Sequence, residues 1–374
     1  MNRVKSFYLE CLRVFAAFYV FIYHVSSETI HDIPYLSNQG FASFLHLNYS
    51  TAHCFVMIFF VLSGYLITMS ASKPGITFRV FITNRLGRLY SVLIPSLLFS
   101  FLLAYFFKFS SYDIGRDIEN LSLPLQRGLL NLFFLGQAYT LCSVPPFNGA
   151  FWSVQYEFIY YLFIGVFITI RNWWKYLILF VLLFISWIKI LMLFPVWLMG
   201  SCLYYIEKKY KMKMSISIII FFVSLGSLIY YLSNSSFMPF QKNTSDNHLF
   251  SYHLFLSWNF RADYLFAIVL FVNMFSLFQI SEAINKKIGN TNWFKSIYEK
   301  SNIVGNCTYT LYLFHTPLLF FFATVLPYDR FNNFHVLGVI FLVIISVYLI
   351  ARLTEWKVLF WRNNISSFFK LFVK

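Results

Sequence analysis

Long apolar runs recur along this chain, separated by short segments rich in Lys and Arg, and no other feature constrains its fold as much. A helix needs about 20 apolar residues to cross the hydrocarbon core of a bilayer. In that solvent every backbone N–H and C=O must be satisfied within the segment, so such runs become helices. Ten spans are expected, at roughly 7–26, 52–70, 89–107, 148–170, 176–193, 195–207, 215–233, 262–281, 305–326 and 335–353. The fifth and sixth are short, and a broken or re-entrant pair around Pro195 is the alternative there. Composition agrees: 59% of residues are hydrophobic, 22% aromatic and only 11% charged, which excludes an ordinary soluble globule. The fold class is an all-α membrane bundle of about ten helices, expected to form one transmembrane domain over residues 1–374.

Charge supplies the orientation. With the N-terminus inside, most of the 29 Lys and Arg residues fall on inner segments, including Arg85, Arg88, Lys208, Lys209, Lys211 and Lys213. Both termini are therefore expected in the cytoplasm. The net charge of +15 reflects this bias and forms no stripe suited to nucleic acid. The first apolar run carries Glu10 and Arg13 and lacks a small-residue cleavage site, so it reads as a retained span. The five cysteines show no CxxC and no metal spacing, and no metal is expected. Cys54 and Cys142 can both face outward, so a disulfide and two free thiols stay open as alternatives. The longest outer loops are at about 108–147 and 234–261, and Gly128 to Tyr139 reads as an interfacial or re-entrant piece.

Five constellations can carry chemistry. Arg13 and His24 stand eleven residues apart in the first span, which brings them to one helix face, about 16 Å apart along the axis. Ionisable groups in hydrocarbon are costly and mark functional sites. The plainer reading is a Glu10–Arg13 pair near one surface and His24 in the outer headgroup zone. Ser63-Gly64 lies mid-span, where small residues let another backbone approach; ordinary helix packing explains it best. Arg85 and Arg88 suit a phosphate or pyrophosphate, or simply follow the inner-loop charge bias. Trp152, Ser153, Glu157 and Tyr161 follow helical spacing, and Glu157 needs a cationic partner from another helix or a raised pKa. Trp152 also suits an interfacial anchor. Finally, Tyr309, Tyr312, His315 and Pro317 share a span, where Pro317 frees the carbonyl of residue 313. A hydrogen-bonded core histidine is the bland account of His315. Thr354-Glu355 after the last span reads as a surface acid among basic residues.

Taken in order, these segments resemble the acyltransferase-3 family of integral membrane acyltransferases. Leu9 to Ala17 with His24 is similar to that family's opening helix. Phe59 to Ile67 resembles its FF-x-x-SG-x-L element, and Arg85 and Arg88 its R-x-x-R pair. Trp152, Ser153, Glu157 and Tyr161 resemble its WS-x-x-x-E-x-x-x-Y element, and Phe194 to Gly200 its short Pro-to-Gly segment. Thr308 to Pro317 resembles its Tyr…Leu-x-His-x-Pro motif, and Thr354-Glu355 its closing acid. The departures are Glu10 for the usual Asp, Cys11 for the usual Gly, and Trp356 where Pro commonly follows the acid.

The resemblance implies a membrane O-acyltransferase that moves an acyl group, usually acetyl from acetyl-CoA, to a sugar hydroxyl of a surface polysaccharide such as lipopolysaccharide O-antigen, or of a glycolipid. No tightly bound cofactor is expected, and acyl-CoA is a co-substrate. The implied partners are acyl-CoA, a glycan or lipid-linked sugar acceptor, and membrane lipid. His24, Glu157 and Arg13 are then the catalytic candidates. Arg85, Arg88 and Ser63 are donor-binding candidates, and Trp152, Ser153, Tyr161 and His315 substrate-binding ones. A polysaccharide flippase or small-solute transporter is the alternative; it would be expected to show internal repeats and paired interrupted helices, which are not seen.

Overall fold

A computed structural model describes residues 1–26, 49–107, 124–233, 257, 259–329 and 332–371. The described residues contain helices and no strand. In chain order they are α1 (Arg3–Ser26), α2 (Tyr49–Ala71), α3 (Phe78–Phe106), α4 (Pro124–Leu132), α5 (Phe151–Thr169), α6 (Trp174–Lys209), α7 (Met214–Ser233), α8 (Phe260–Ile288), α9 (Asn292–Gly305), α10 (Thr308–Val325), α11 (Asn333–Leu353) and α12 (Val358–Leu371). A turn of 3₁₀-helix, Glu355–Lys357, joins the last two. Nine helices among the described residues are long and apolar enough to cross a membrane, so this is a multi-pass membrane protein.

The expected spans 176–193 and 195–207 both fall within α6, a 36-residue stretch in which two helices are joined across a kink. Its break falls at Trp187 (φ 49°, ψ −178°), and Pro195 sits inside the helix. Proline removes one N–H and leaves the helix standing when the freed carbonyl is sheltered, whereas a residue at positive φ leaves the helical backbone altogether. The carbonyl of Ile185, beside the break, accepts from the backbone N–H of Tyr139 at 2.8 Å. Tyr139 also lies against the Trp187 ring, 4.4 Å between centroids.

α3 starts at Phe78, well before the span expected at 89–107. Thr77 caps it, its side chain accepting from Val80 N–H. Arg85 and Arg88 are therefore helical residues rather than loop residues. The expected outer loops fall in part on 108–123 and 234–256, outside the described residues. Of the first, α4 and the turns that follow it are described. Gln155 of α5 anchors them: its amide oxygen accepts from Gln137 N–H at 2.7 Å and its nitrogen donates to Asn131 at 2.8 Å. Cys54 and Cys142 are not joined to each other in a disulfide.

The chain divides into two compact units, Met1–Tyr19 with Asn48–Ser72 and Ile188–Gly305, and Val20–Leu47 with Lys73–Trp187 and Asn306–Lys374. In the first unit α2 crosses the second half of α6 at two glycines. A Cβ on Gly64 would meet the Trp197 carbonyl, and one on Gly200 the Val61 carbonyl. Small residues at such crossings let backbones touch where no hydrophobic driving force acts between helices. In the second unit α3 packs against α5, α10 and α12, and α10 packs against α11.

Candidate functional site

The second unit gathers most of the residues singled out from sequence. His24, at the last turn of α1, is half-buried, and its Nδ1 lies 2.7 Å from the Val20 carbonyl. A carbonyl only accepts, so Nδ1 carries the proton and Nε2 keeps its lone pair. His315 on α10 repeats the arrangement, with Nδ1 3.0 Å from the Leu311 carbonyl. Its ring is fully buried and Nε2 has no hydrogen-bond partner among the described residues. The two imidazoles meet edge to face, 4.8 Å between centroids. A neutral imidazole with a lone pair on Nε2 can take a proton or an acyl group.

From His315 the site continues through Tyr312, 6.1 Å away between ring centroids. Ser153 donates to the Ala150 carbonyl at 3.2 Å, so it accepts from the Tyr312 hydroxyl at 2.7 Å. Glu157, one turn along α5, lies within electrostatic reach of Tyr312. Arg85 of α3 lies within electrostatic range of Tyr161, Arg88 and Glu157. Tyr309 of α10 lies among Glu157, Tyr161, Glu355 and Arg88. Trp152 is buried and stands edge-on to Tyr156, 5.1 Å between centroids, which corrects the reading of an interfacial anchor.

Glu355 is not a surface acid. It is 8% exposed, and one carboxylate oxygen accepts from both the N–H and the hydroxyl of Thr310 at 3.0 Å. Those groups belong to the first turn of α10, whose N–H groups lack helical partners and whose dipole favours an anion. Just before that turn, burial and then the Glu355 carboxylate push the Cys307 thiol up to about 11.

The carbonyl that Pro317 releases is taken. Leu313 O accepts from Ser96 Oγ at 2.7 Å and from Asn148 Nδ2 at 2.8 Å. Sequence reasoning had the carbonyl and missed its partners; Ser96 beside Pro95 and an Asn at the edge of an apolar run were the available signals.

Arg13 and Ser63 lie in the first unit. One Arg13 nitrogen donates to Glu10 at 2.5 Å and to the Gly305 carbonyl at 2.9 Å. A Cβ at Gly305 would strike the Glu10 carboxylate, so glycine is what admits this pair. Ser63 accepts from the Trp197 indole N–H at 3.2 Å, beside the Gly64 crossing. The same unit holds a buried pair that no motif signalled, His53 Nε2 3.2 Å from Asp263. Among the described residues no group of three metal-ligating side chains comes together.

Residues 6–352 match the family model described as an acyltransferase domain, Acyl_transf_3. The chain is also 29% identical, over 189 residues, to an O-acetyl transferase of Shigella phage Sf6. That alignment covers 49% of this chain, which thus spans about half the length, 52%, of the curated relative it matches. No solved structure matches the chain.

Proposed function

Because the chain belongs to the acyltransferase-3 family, we propose that it is a membrane O-acyltransferase that moves acetyl from acetyl-CoA to a sugar hydroxyl of a cell-envelope polysaccharide or glycolipid. The observation that carries this reading is the His24–His315 pair, two imidazoles whose Nδ1 atoms are tied to carbonyls, which leaves the lone pairs on Nε2. His24, the more accessible, takes the proton of the acceptor hydroxyl as that oxygen bonds to the thioester carbonyl carbon. The carbon–sulfur bond then breaks, and the departing thiolate takes the proton from the imidazolium, so acetyl ester and free thiol are the products. The buried His315 ring beside it holds the imidazole in place. Arg85 and Arg88 hold phosphates of the donor, and Glu157 keeps Arg85 oriented. Ser153, Tyr161 and Trp152 line the acceptor's place. The inner membrane, with both termini cytoplasmic, is the setting that gives the arginines access to cytoplasmic acyl-CoA.

The test compares surface polysaccharide, by mass spectrometry and NMR, from cells with the protein, without it, and with His24→Ala. An alkali-labile acetyl group present only with the intact protein is the expected outcome. Undiminished acetylation by well-inserted His24→Ala overturns the role of His24. A polysaccharide altered in length or amount but never in acetyl content overturns the enzyme reading in favour of transport.

A further inference from the structure

α9 has 14 residues, too few to cross a bilayer. Trp293, Ile297, Lys300 and Val304 are exposed and stand at i, i+4, i+7 and i+11, one stripe of the helix. Other positions dock it: the Phe294 ring meets Phe7 edge-on, 5.6 Å between centroids, and Tyr298 donates to Ser6 at 3.2 Å. The exposed stripe is apolar except for Lys300. A short helix with Trp on an exposed apolar stripe and lysine beside it suits the interface plane of a membrane.

α9 runs beside the N-terminal half of α1, from Phe294 at Phe7 to Gly305, whose carbonyl accepts from Arg13. The two helices flank a cavity of about 690 Å³. Ile297, Lys300 and Val304 line it from α9, and Leu12, Phe15 and Phe18 from α1. Phe15 is 59% exposed and Phe18 44%, so the cavity is open on its outer side, where a membrane protein meets lipid. Its wall on α1 runs from Tyr8 to Phe18. That stretch of helix rises about 15 Å, half of the roughly 30 Å hydrocarbon core and hence the depth of one leaflet. Beyond it Val20 and Phe21 are buried. Lys300 stands at the shallow end, on the segment between Tyr298 at Ser6 and Gly305 at Arg13, and Phe15 and Phe18 lie deeper.

Length, shape and charge select the occupant. A lipid chain of one leaflet fits the wall, whereas a spanning helix from a second copy needs an open face through both leaflets. Membrane helices also meet through small residues, and this wall is built of Leu12, Phe15, Phe18 and Ile297. Lys300 pairs with no acid among the described residues: Glu10 is held by Arg13 and Glu207 by Lys5. Glu299, next to Lys300 in sequence, does not line the cavity. A lysine at the head of an apolar slot attracts an anion that carries a chain. We propose that the cavity between α1 and α9 seats one acyl chain of an anionic phospholipid, from the leaflet on the N-terminal side of α1, with Lys300 against its headgroup. This site is separate from the residues assigned to acyl transfer and does not depend on that assignment.

The experiment is photo-crosslinking of the full-length protein in phosphatidylcholine vesicles that carry a trace of phosphatidylglycerol, or of phosphatidylcholine, with a diazirine in one acyl chain. Adducts are mapped by mass spectrometry of the peptides. The phosphatidylglycerol probe should label Leu12 to Phe18 and α9 about fivefold more than the phosphatidylcholine probe, the weight of one basic residue near an anionic headgroup. Lys300→Gln should remove that preference and Lys300→Glu should reverse it; both alter an exposed side chain and leave the docked face of α9 intact. Ile297→Trp, which narrows the slot, should lower labelling by both probes there and nowhere else. Equal labelling by the two probes, unchanged by Lys300→Gln, would mean ordinary boundary lipid and overturn the proposal. Displacement of the probe by an isoprenoid phosphate but not by unlabelled phosphatidylglycerol would overturn it in favour of a lipid carrier, and cross-links to a second copy in place of lipid adducts would overturn it in favour of a dimer contact.

Discussion

The carbonyl of Leu313 offers a stability test whose sign and size follow from geometry. Pro317 deprives this mid-helix carbonyl of its i+4 donor, and Ser96 and Asn148 replace it at 2.7 and 2.8 Å. Removing either donor leaves the other in place. Ser96→Ala and Asn148→Leu should then each cost about 0.6–1.5 kcal/mol, the range for a hydrogen bond between membrane helices. Removing both strands a buried carbonyl, which adds about 1–3 kcal/mol of uncompensated desolvation. The double variant should therefore lose more than the sum of the singles. Pro317→Ala restores a backbone N–H at 317 and should abolish that excess. The assay is thermal unfolding of purified protein in detergent for the two singles, the double, and all three in the Pro317→Ala background. Additive losses, unchanged by Pro317→Ala, would refute the reasoning.

Two further outcomes are expected. Gly64→Leu and Gly200→Leu each drive a side chain into a backbone carbonyl across the α2–α6 crossing and should sharply reduce the yield of folded protein by size-exclusion chromatography, whereas Gly226→Leu, with open space around it, should not. Burial and the nearby Glu355 carboxylate hold the Cys307 thiol protonated at neutral pH, with its midpoint at about 11. Maleimide labelling of a variant keeping only Cys307 should rise steadily from pH 7 through pH 10. Glu355→Gln removes a negative charge that disfavours the thiolate, so the curve should shift to lower pH; a plateau near pH 8.5 in the parent would contradict this.

Much of this protein was readable from the chain. In a bilayer the backbone must bond to itself within each segment, so length and hydropathy alone determine that the apolar runs are helices. Helical spacing put Ser153, Glu157 and Tyr161 on one face, and Pro317 announced a carbonyl in need of donors. Sequence left Glu157 with a cationic partner from another helix or a raised pKa, without naming the partner. Contacts between helices were not legible, because they join residues far apart in the chain. Only the folded second unit sets His24 against His315, Arg85 near Glu157, Ser96 and Asn148 on Leu313, and Arg362 against Gly87. The break in α6 followed the same rule: proline marks a missing donor at Pro195, but the chain turns at Trp187, where loop atoms cover the exposed backbone. Glu355 looked like a surface acid because its partner is the first turn of another helix, and an orphaned N–H carries no signature in the sequence.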